Sequence, residues 1–305
     1  MGKSFLCPLI AIAAFAASGD VLLPNTATIA DIQAAIDAAQ PGDTITLADG
    51  TYTFEGPLVV NKGITLTGSH RDNCILQGDG TASFETALTI DHADACVKNL
   101  TVSGVVSSVS FNYHAAGVRV NAGLFTQARV TGCKAGMNRA AGVSLEGSSD
   151  DAAVVTYCLI DHNETTANSG TGGIRMNSKG GIVANCLVWA NKGTGDYGSG
   201  GITVMNVTAW SKFKIVNCTV IGCRGSATGG IHSDNISGMI ANSVAFGCEK
   251  YVHSTLTRHA FSGVAASYFN CASDMPAIEG GTRCIGEIVA SAFVDYAAGN
   301  YAPKP

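Results

Sequence analysis

Two short phrases decide the architecture: GGIRM (172–176) and GGITV (200–204). Each is a small residue, a glycine, an aliphatic residue and then alternation. The same phrase stands as AGVRV (116–120), AGVSL (141–145) and GGIHS (229–233). Its second residues, Gly117, Gly142, Gly173, Gly201 and Gly230, are separated by 25, 31, 28 and 29 residues. A second phrase runs between them: VTGCKA (130–135), VTYCLI (155–160), VANCLV (183–188), VNCTVI (216–221) and IANSVA (240–245), with a forerunner VKNLTV (97–102). A period near 28 marks one supersecondary unit repeated along the chain. The units carry Val and Ile in alternation, broken by Gly and Asn, and lack helical periodicity, so they read as strands. One unit is too small to bury its own face, and stacking the units buries a continuous column. The expected fold is therefore all-β: a single-stranded right-handed parallel β-helix. Its rungs should lie about 4.8 Å apart, with crossovers of the usual right hand.

Inside the second phrase the alternation skips. Ile215, Cys218 and Val220 cannot all face inward on one straight strand, so the chain must bend at Asn217. The slot holds Asn99, Gly132, Tyr157, Asn185, Asn217 and Asn242. Asn and Gly are the residues that best tolerate left-handed backbone angles, so Tyr157 is expected to sit in a different local turn. The next slot, Leu100, Cys133, Cys158, Cys186, Cys218 and Ser243, reads as compact core residues. A further column is Asn138, Asn163, Asn191, Cys223 and Cys248. Stacking puts Cys223 and Cys248 within disulfide range, with Cys271 and Cys284 as a second candidate pair.

Before the repeats, Thr28 and Asp31 fit a capping box. Ile29, Ile32 and Ile36 share a helical face that ends at Pro41-Gly42-Asp43. A capping helix here would cover the open end of the first coil and block edge pairing. Strands follow near Thr44, Leu58, Ile64, Cys74 and Leu88.

Residues 1–17 read as an export signal. Lys3 is the only charge before an apolar run at 5–17, which ends in an Ala14-Phe15-Ala16 cleavage pattern. The domain is then 18–305, secreted or at the cell surface, and disulfides are permitted there. No stretch is long enough to span a bilayer. Charged residues make up 13% of the 305, about half the usual share, and the charge balance carries no basic signature of a nucleic-acid binder. The net charge of −5 gives no attraction to an anionic membrane either. The chain is expected to be a monomer.

The segment IQAAIDAAQPGDTITLADGTYTF (32–54) resembles the entry of pectate-lyase-like right-handed parallel β-helix proteins. It is similar to the start of chondroitinase- and alginate-lyase-like polysaccharide lyases. The GG-I phrase resembles repeats of polymorphic outer membrane proteins and of secreted bacterial β-helix proteins with a C-terminal anchor domain. The ending AFVDYAAGNYAPKP (292–305) resembles the closing segment of the latter group. The resemblance implies the β-helix fold and a polysaccharide or cell-surface glycan as partner.

Alternation in the first phrase turns one column outward: Arg119, Ser144, Arg175, Thr203, His232. The next outward column is Asn121, Glu146, Asn177, Met205, Asp234. Together they form a polar strip suited to an extended glycan. Glu146 and Asp234 are three rungs apart, about 14 Å, too far for a glycosidase pair. Two readings stand. In the first, the solenoid is a rigid glycan-binding or adhesion scaffold, with Arg119, Glu146, Asn177, Tyr197 and Trp210 touching sugar; Tyr113 and His114 precede the Gly117 strand. In the second it is a uronate lyase. Arg175 then neutralises the substrate carboxylate, and His232, oriented by Asp234, removes the α-proton. No cofactor is required; a Ca²⁺ on Glu146 or on loop aspartates such as Asp150 and Asp151 could stand in for Arg175.

Overall fold

The computed structural model describes residues 19–303, apart from 82–83, 108–115, 137–139, 148–152, 167, 178–179, 206–211, 235–237, 253–254, 264–266, 277–280, 296 and 299. The chain is a parallel β-solenoid. The export signal, Tyr113, His114, Asn138, Asp150, Asp151 and Trp210 lie outside the described residues.

The first strand column is the GG-I phrase in register. Val118 pairs with Val143, Val143 with Ile174, Ile174 with Ile202, and Ile202 with Ile231. Glycine is required before each aliphatic because the rungs approach backbone to backbone. A Cβ on Gly173 would lie 2.4 Å from the Gly201 carbonyl oxygen, and one on Gly201 2.2 Å from that of Gly230. No side chain fits such a gap. The column therefore needs Gly for packing, with no demand on its φ.

In the early rungs the chain runs straight from this face into the next. The strands Leu88–Lys98 and Val118–Thr126 contribute to both. Later rungs break between the faces, as from Val143–Leu145 to Ala153–Thr156 and from Ile174–Asn177 to Gly180–Ala184. A third face is a nine-stranded parallel sheet from Gly50–Thr53 to Ala272–Ser273. A fourth, of two-residue strands, ends in an antiparallel hairpin of Glu249–Val252 and Thr255–Arg258. Inward residues of every face are buried, among them Val130, Ile160, Val188 and Val220 on the third face and Phe125, Val155, Val183 and Ile215 on the second.

From the rung of Leu88–Lys98 onward, two corners turn with a left-handed residue. At the first corner Asn99, Gln127, Tyr157, Asn185, Asn217, Asn242 and Asn270 have φ between 49° and 56°. Asn217 Nδ2 donates to Asn185 Oδ1 (3.1 Å), and Asn270 Nδ2 to Asn242 Oδ1 (3.0 Å). Tyr157 makes the same turn as its neighbours, against expectation. Its N–H donates to Ala184 O (3.1 Å), which completes the rung, and its ring lies outside at 58% exposure. The bend is thus fixed by rung pairing, and the side chain only has to leave the interior.

The second corner holds Gly104, Gly132, His162, Ala190, Gly222 and Gly247, with φ between 53° and 64°. Gly132 and Cys133 therefore belong here and not at the first corner, where the register places Gln127 and Ala128. The inward column just past this corner is Val105, Cys133, Asn163, Asn191, Cys223, Cys248. Asn191 Oδ1 accepts from the Asn163 N–H and from Asn163 Nδ2, both at 3.0 Å, while Asn191 Nδ2 donates to Ile160 O (2.8 Å). Buried amides pair in this way because an unmatched polar group in a core is costly.

Cys223 and Cys248 are stacked neighbours, as expected, but every described cysteine is a free thiol. Cys223 Sγ donates to Val188 O (3.6 Å) and Cys248 Sγ to Val220 O (3.6 Å). Burial raises the Cys133 and Cys223 thiols to about 12. Cys271 and Cys284 are likewise neighbours and free.

At the N-terminus a helix covers Ile29–Ala38. Its Thr28–Asp31 capping box is formed, and Ile29, Ile32 and Ile36 enter the core. Gln33 ties it to Val59 through the peptide N–H and carbonyl.

Candidate functional site

The two outward columns keep their expected register, yet they do not form one exposed strip. Ser144, Arg175 and Thr203 are fully buried. The Arg175 guanidinium donates to Ser169 O (3.2 Å). Beside it, Glu146 accepts from Ser144 Oγ (2.6 Å) and from Asn177 Nδ2 (3.0 Å). Burial raises the Glu146 carboxyl, and those two hydrogen bonds, with the charges of Arg175 and Arg119, hold it down only in part. Arg119, Glu146, Asn177 and Arg175 thus make a largely enclosed polar cluster. Arg119 also pairs in register with Thr89 of the rung before.

The column opens at its last rungs. A cleft of about 570 Å³ is lined by His232, Asp234, Ser262, His259, Lys250, Tyr197 and Asp196, with Ser169, Ser199, Met205, Ser226 and Ala227 completing its wall. Several elements converge there. The strand Ile231–Ser233 carries His232 outward. The next rung, Phe261–Gly263, places Ser262 directly beside it in register. The hairpin that ends the fourth face brings Lys250 and delivers His259, whose Nδ1 lies 3.0 Å from Thr228 Oγ1. Burial, then the charges of Lys250 and His232, push His259 below the usual histidine range. Tyr197 stands at the cleft with 67% of its surface exposed.

His232 is held at both ring nitrogens. Nε2 lies 2.8 Å from Asp234 Oδ1 and Nδ1 lies 2.9 Å from Ser262 Oγ. The His232 side chain is 20% exposed and that of Asp234 49%. With Asp234 accepting the Nε2 proton, Nδ1 is left as an acceptor for the Ser262 hydroxyl.

Of the residues singled out in the sequence, His232, Asp234 and Tyr197 meet in the cleft. Arg119, Glu146, Asn177 and Arg175 do not; Arg119 is four rungs before His232, Glu146 three, and Asn177 and Arg175 two, and Arg175 touches the cleft wall at the Ser169 carbonyl. The cation that shares the cleft with His232 is Lys250. The sequence reading missed Lys250, His259 and Ser262. Counting one further period of about 30 from His232 would have found Ser262, although its rung reads HAFSG (259–263) and lacks the double glycine. Among the described residues, no three His, Cys, Asp or Glu side chains gather as a metal ion would need. No helix among them is long and apolar enough to cross a membrane.

Neither a scan against protein-family models nor a comparison with curated proteins found a match. Several solved structures are similar in overall course. A pectin methylesterase from Erwinia chrysanthemi aligns with 95% of this chain and 99% of its own, at 13% identity and a TM-score of 0.39. A PL6 family polysaccharide lyase from Pseudopedobacter saltans aligns with 87% of this chain and 78% of its own, at 12% identity and a TM-score of 0.34. The mannuronan C-5 epimerase A-module from Azotobacter vinelandii aligns with 86% and 92%, at 13% identity and a TM-score of 0.25. Values this low leave the functional argument to the residues of this chain.

Proposed function

We propose that the chain is a glycan-binding β-solenoid, exported by its first 17 residues and working outside the cell or at its surface. The observation that carries this reading is the cleft at the end of the outward column. An exposed Tyr197 ring stands there among Asp196, Asp234, Lys250 and two histidines. A sugar offers a C–H face to an aromatic ring and hydroxyls to carboxylates and an ammonium group. The ring supplies rigid apolar area, and the few polar groups around it fix orientation. The likeness of the GG-I phrase to surface-displayed repeats agrees with a scaffold role.

Titration calorimetry with neutral and uronate oligosaccharides tests the proposal. Tyr197→Ala is expected to weaken binding tenfold or more, equivalent to about 1.4 kcal/mol, with no change in melting temperature. Unchanged affinity in that variant would remove the cleft from the binding surface.

A uronate lyase remains the second reading, on one specific feature: a histidine–carboxylate pair and a lysine share the cleft. Lys250 then takes the role first given to Arg175. Ultraviolet absorbance of unsaturated products from alginate, pectate and glycosaminoglycans discriminates between the two.

A further inference from the structure

We propose that Ser262, His232 and Asp234 form a nucleophile–base–carboxylate triad that hydrolyses short acyl esters bound in the cleft. The three residues come from two adjacent rungs. His232 and Ser262 are register partners, and Asp234 lies two residues beyond His232, on the same outward side of the chain. The separations are 2.9 Å from Ser262 Oγ to His232 Nδ1 and 2.8 Å from His232 Nε2 to Asp234 Oδ1. Both fall within the range in which a base can take a hydroxyl proton and a carboxylate can fix the imidazole tautomer. The nitrogens are used in the opposite sense to that of serine proteases, where Nε2 faces the nucleophile. The chemistry needs only that one nitrogen accept while the other donates. All three side chains line the same cleft, and Lys250 and His259 are there too.

The reaction balances with water as the only co-reactant. Ser262 Oγ bonds to the acyl carbon as its proton passes to His232 Nδ1. The bond from that carbon to the alcohol oxygen then breaks, and the proton on Nδ1 goes to the departing alkoxide. Water next attacks the acyl-serine and gives a proton to Nδ1. The carboxylic acid leaves, and Ser262 recovers its proton. Lys250 lines the same cleft and supplies a positive charge for the oxyanion of each addition step. A 570 Å³ opening lined mostly by polar and charged side chains suits a small acyl group on a polar alcohol. The substrate class is therefore a short O-acyl ester. The proposal stands whether or not the alcohol is a sugar.

A fluorophosphonate probe followed by peptide mapping, together with release of nitrophenol from p-nitrophenyl acetate, tests it. The expected result is covalent labelling at Ser262, abolished in Ser262→Ala and in His232→Ala. Esterase turnover should fall about 10³-fold or more in each. Asp234→Asn should fall less, and its pH profile should move, because the tautomer would no longer be fixed. Matched melting temperatures establish that the variants fold. Absence of labelling, labelling at another residue, or turnover that survives Ser262→Ala overturns the proposal. Sugar binding measured on Ser262→Ala keeps this outcome separate from the glycan reading.

Discussion

The inward column past the second corner and the outward column of the first face are built alike and end differently. Each places one residue per rung, and each is partly polar. In the inward column, Asn163 and Asn191 satisfy one another and the carbonyls of the preceding rung, and the thiols of Cys223 and Cys248 continue the pattern. In the outward column, Ser144, Arg175 and Thr203 are equally buried, yet on the next two rungs His232 and Ser262 face a cleft. Stacking alone therefore makes order and not a site. A site arises where the stack ends, because the last rungs keep their alignment while the neighbours that would enclose them change course into a hairpin.

The largest effect is expected from interrupting the closed column. Asn191→Ala strands the Asn163 N–H and the Ile160 carbonyl in the core, each worth about 1–3 kcal/mol. A loss of about 3 kcal/mol in chemical denaturation should follow, while esterase turnover per folded molecule stays unchanged. If activity falls in step with stability, the two columns are not independent.

A smaller effect separates two carboxylates by pH. Asp161 is fully buried and takes two hydrogen bonds from Arg129, both at 2.8 Å. Burial pushes its carboxyl up, but Arg129, His162 and Thr131 outweigh that and hold it below the usual range. Its stabilisation is present above the ordinary carboxylate value of about 4 and is lost as pH falls through the lowered one. Glu146 is the reverse: raised by burial, it favours the fold when protonated. That contribution is present below the ordinary value and is lost as pH rises through the raised one. Asp161→Asn should cost about 2 kcal/mol near neutrality, the scale of hydrogen bonds to a charged group, with the gap to wild type closing in acid. Glu146→Gln should differ from wild type by about 1 kcal/mol or less, with wild type losing ground as pH rises. Melting curves from pH 3 to 8 check both slopes; parallel slopes would mean that the two sites do not differ.

The smallest expected effect is a silence. The buried thiols are closed off from solvent, so native protein at pH 8 should react with iodoacetamide only at the partly exposed Cys96 and Cys284 among the described cysteines. Mass spectrometry of tryptic peptides reads this directly. Rapid modification of Cys223 or Cys248 would show that the inward column opens.

The repeat was legible because its glycines are imposed by backbone contact. Gly142, Gly173 and Gly201 have no alternative, so the phrase marks the register without error. The capping-box helix was legible for a similar local reason. The corners were less so. Both turn with one left-handed residue followed by a small inward one, and VTGCKA satisfies either. The recurring Gly-Cys at 132–133, 222–223 and 247–248 was the available sign that Cys133 belongs to the second corner. Alternation told which way Arg175 and His232 point, but it carries no information about what lies on top of an outward residue. That depends on the course of the connections. Hence the same pattern gave a sealed Arg175 and an open His232, and Ser262 stayed hidden in a rung without the double glycine.

The direct contact of Gly173 with Gly201 has a consequence for inheritance. Both positions present the same surface to the rung before, so excising the 28 residues 174–201 would join Gly173 to Ile202 and leave the phrase intact. Each corner would lose one member, Asn185 and Ala190, and the outward column would read Arg119, Ser144, Thr203, His232, Ser262. One in-frame recombination event would delete a buried positive charge, remove Asp196, Tyr197 and Ser199 from the cleft wall, and carry His232, Asp234 and Ser262 one coil nearer the helix. The rung, and not the residue, is the unit in which a gene for such a molecule can be rewritten.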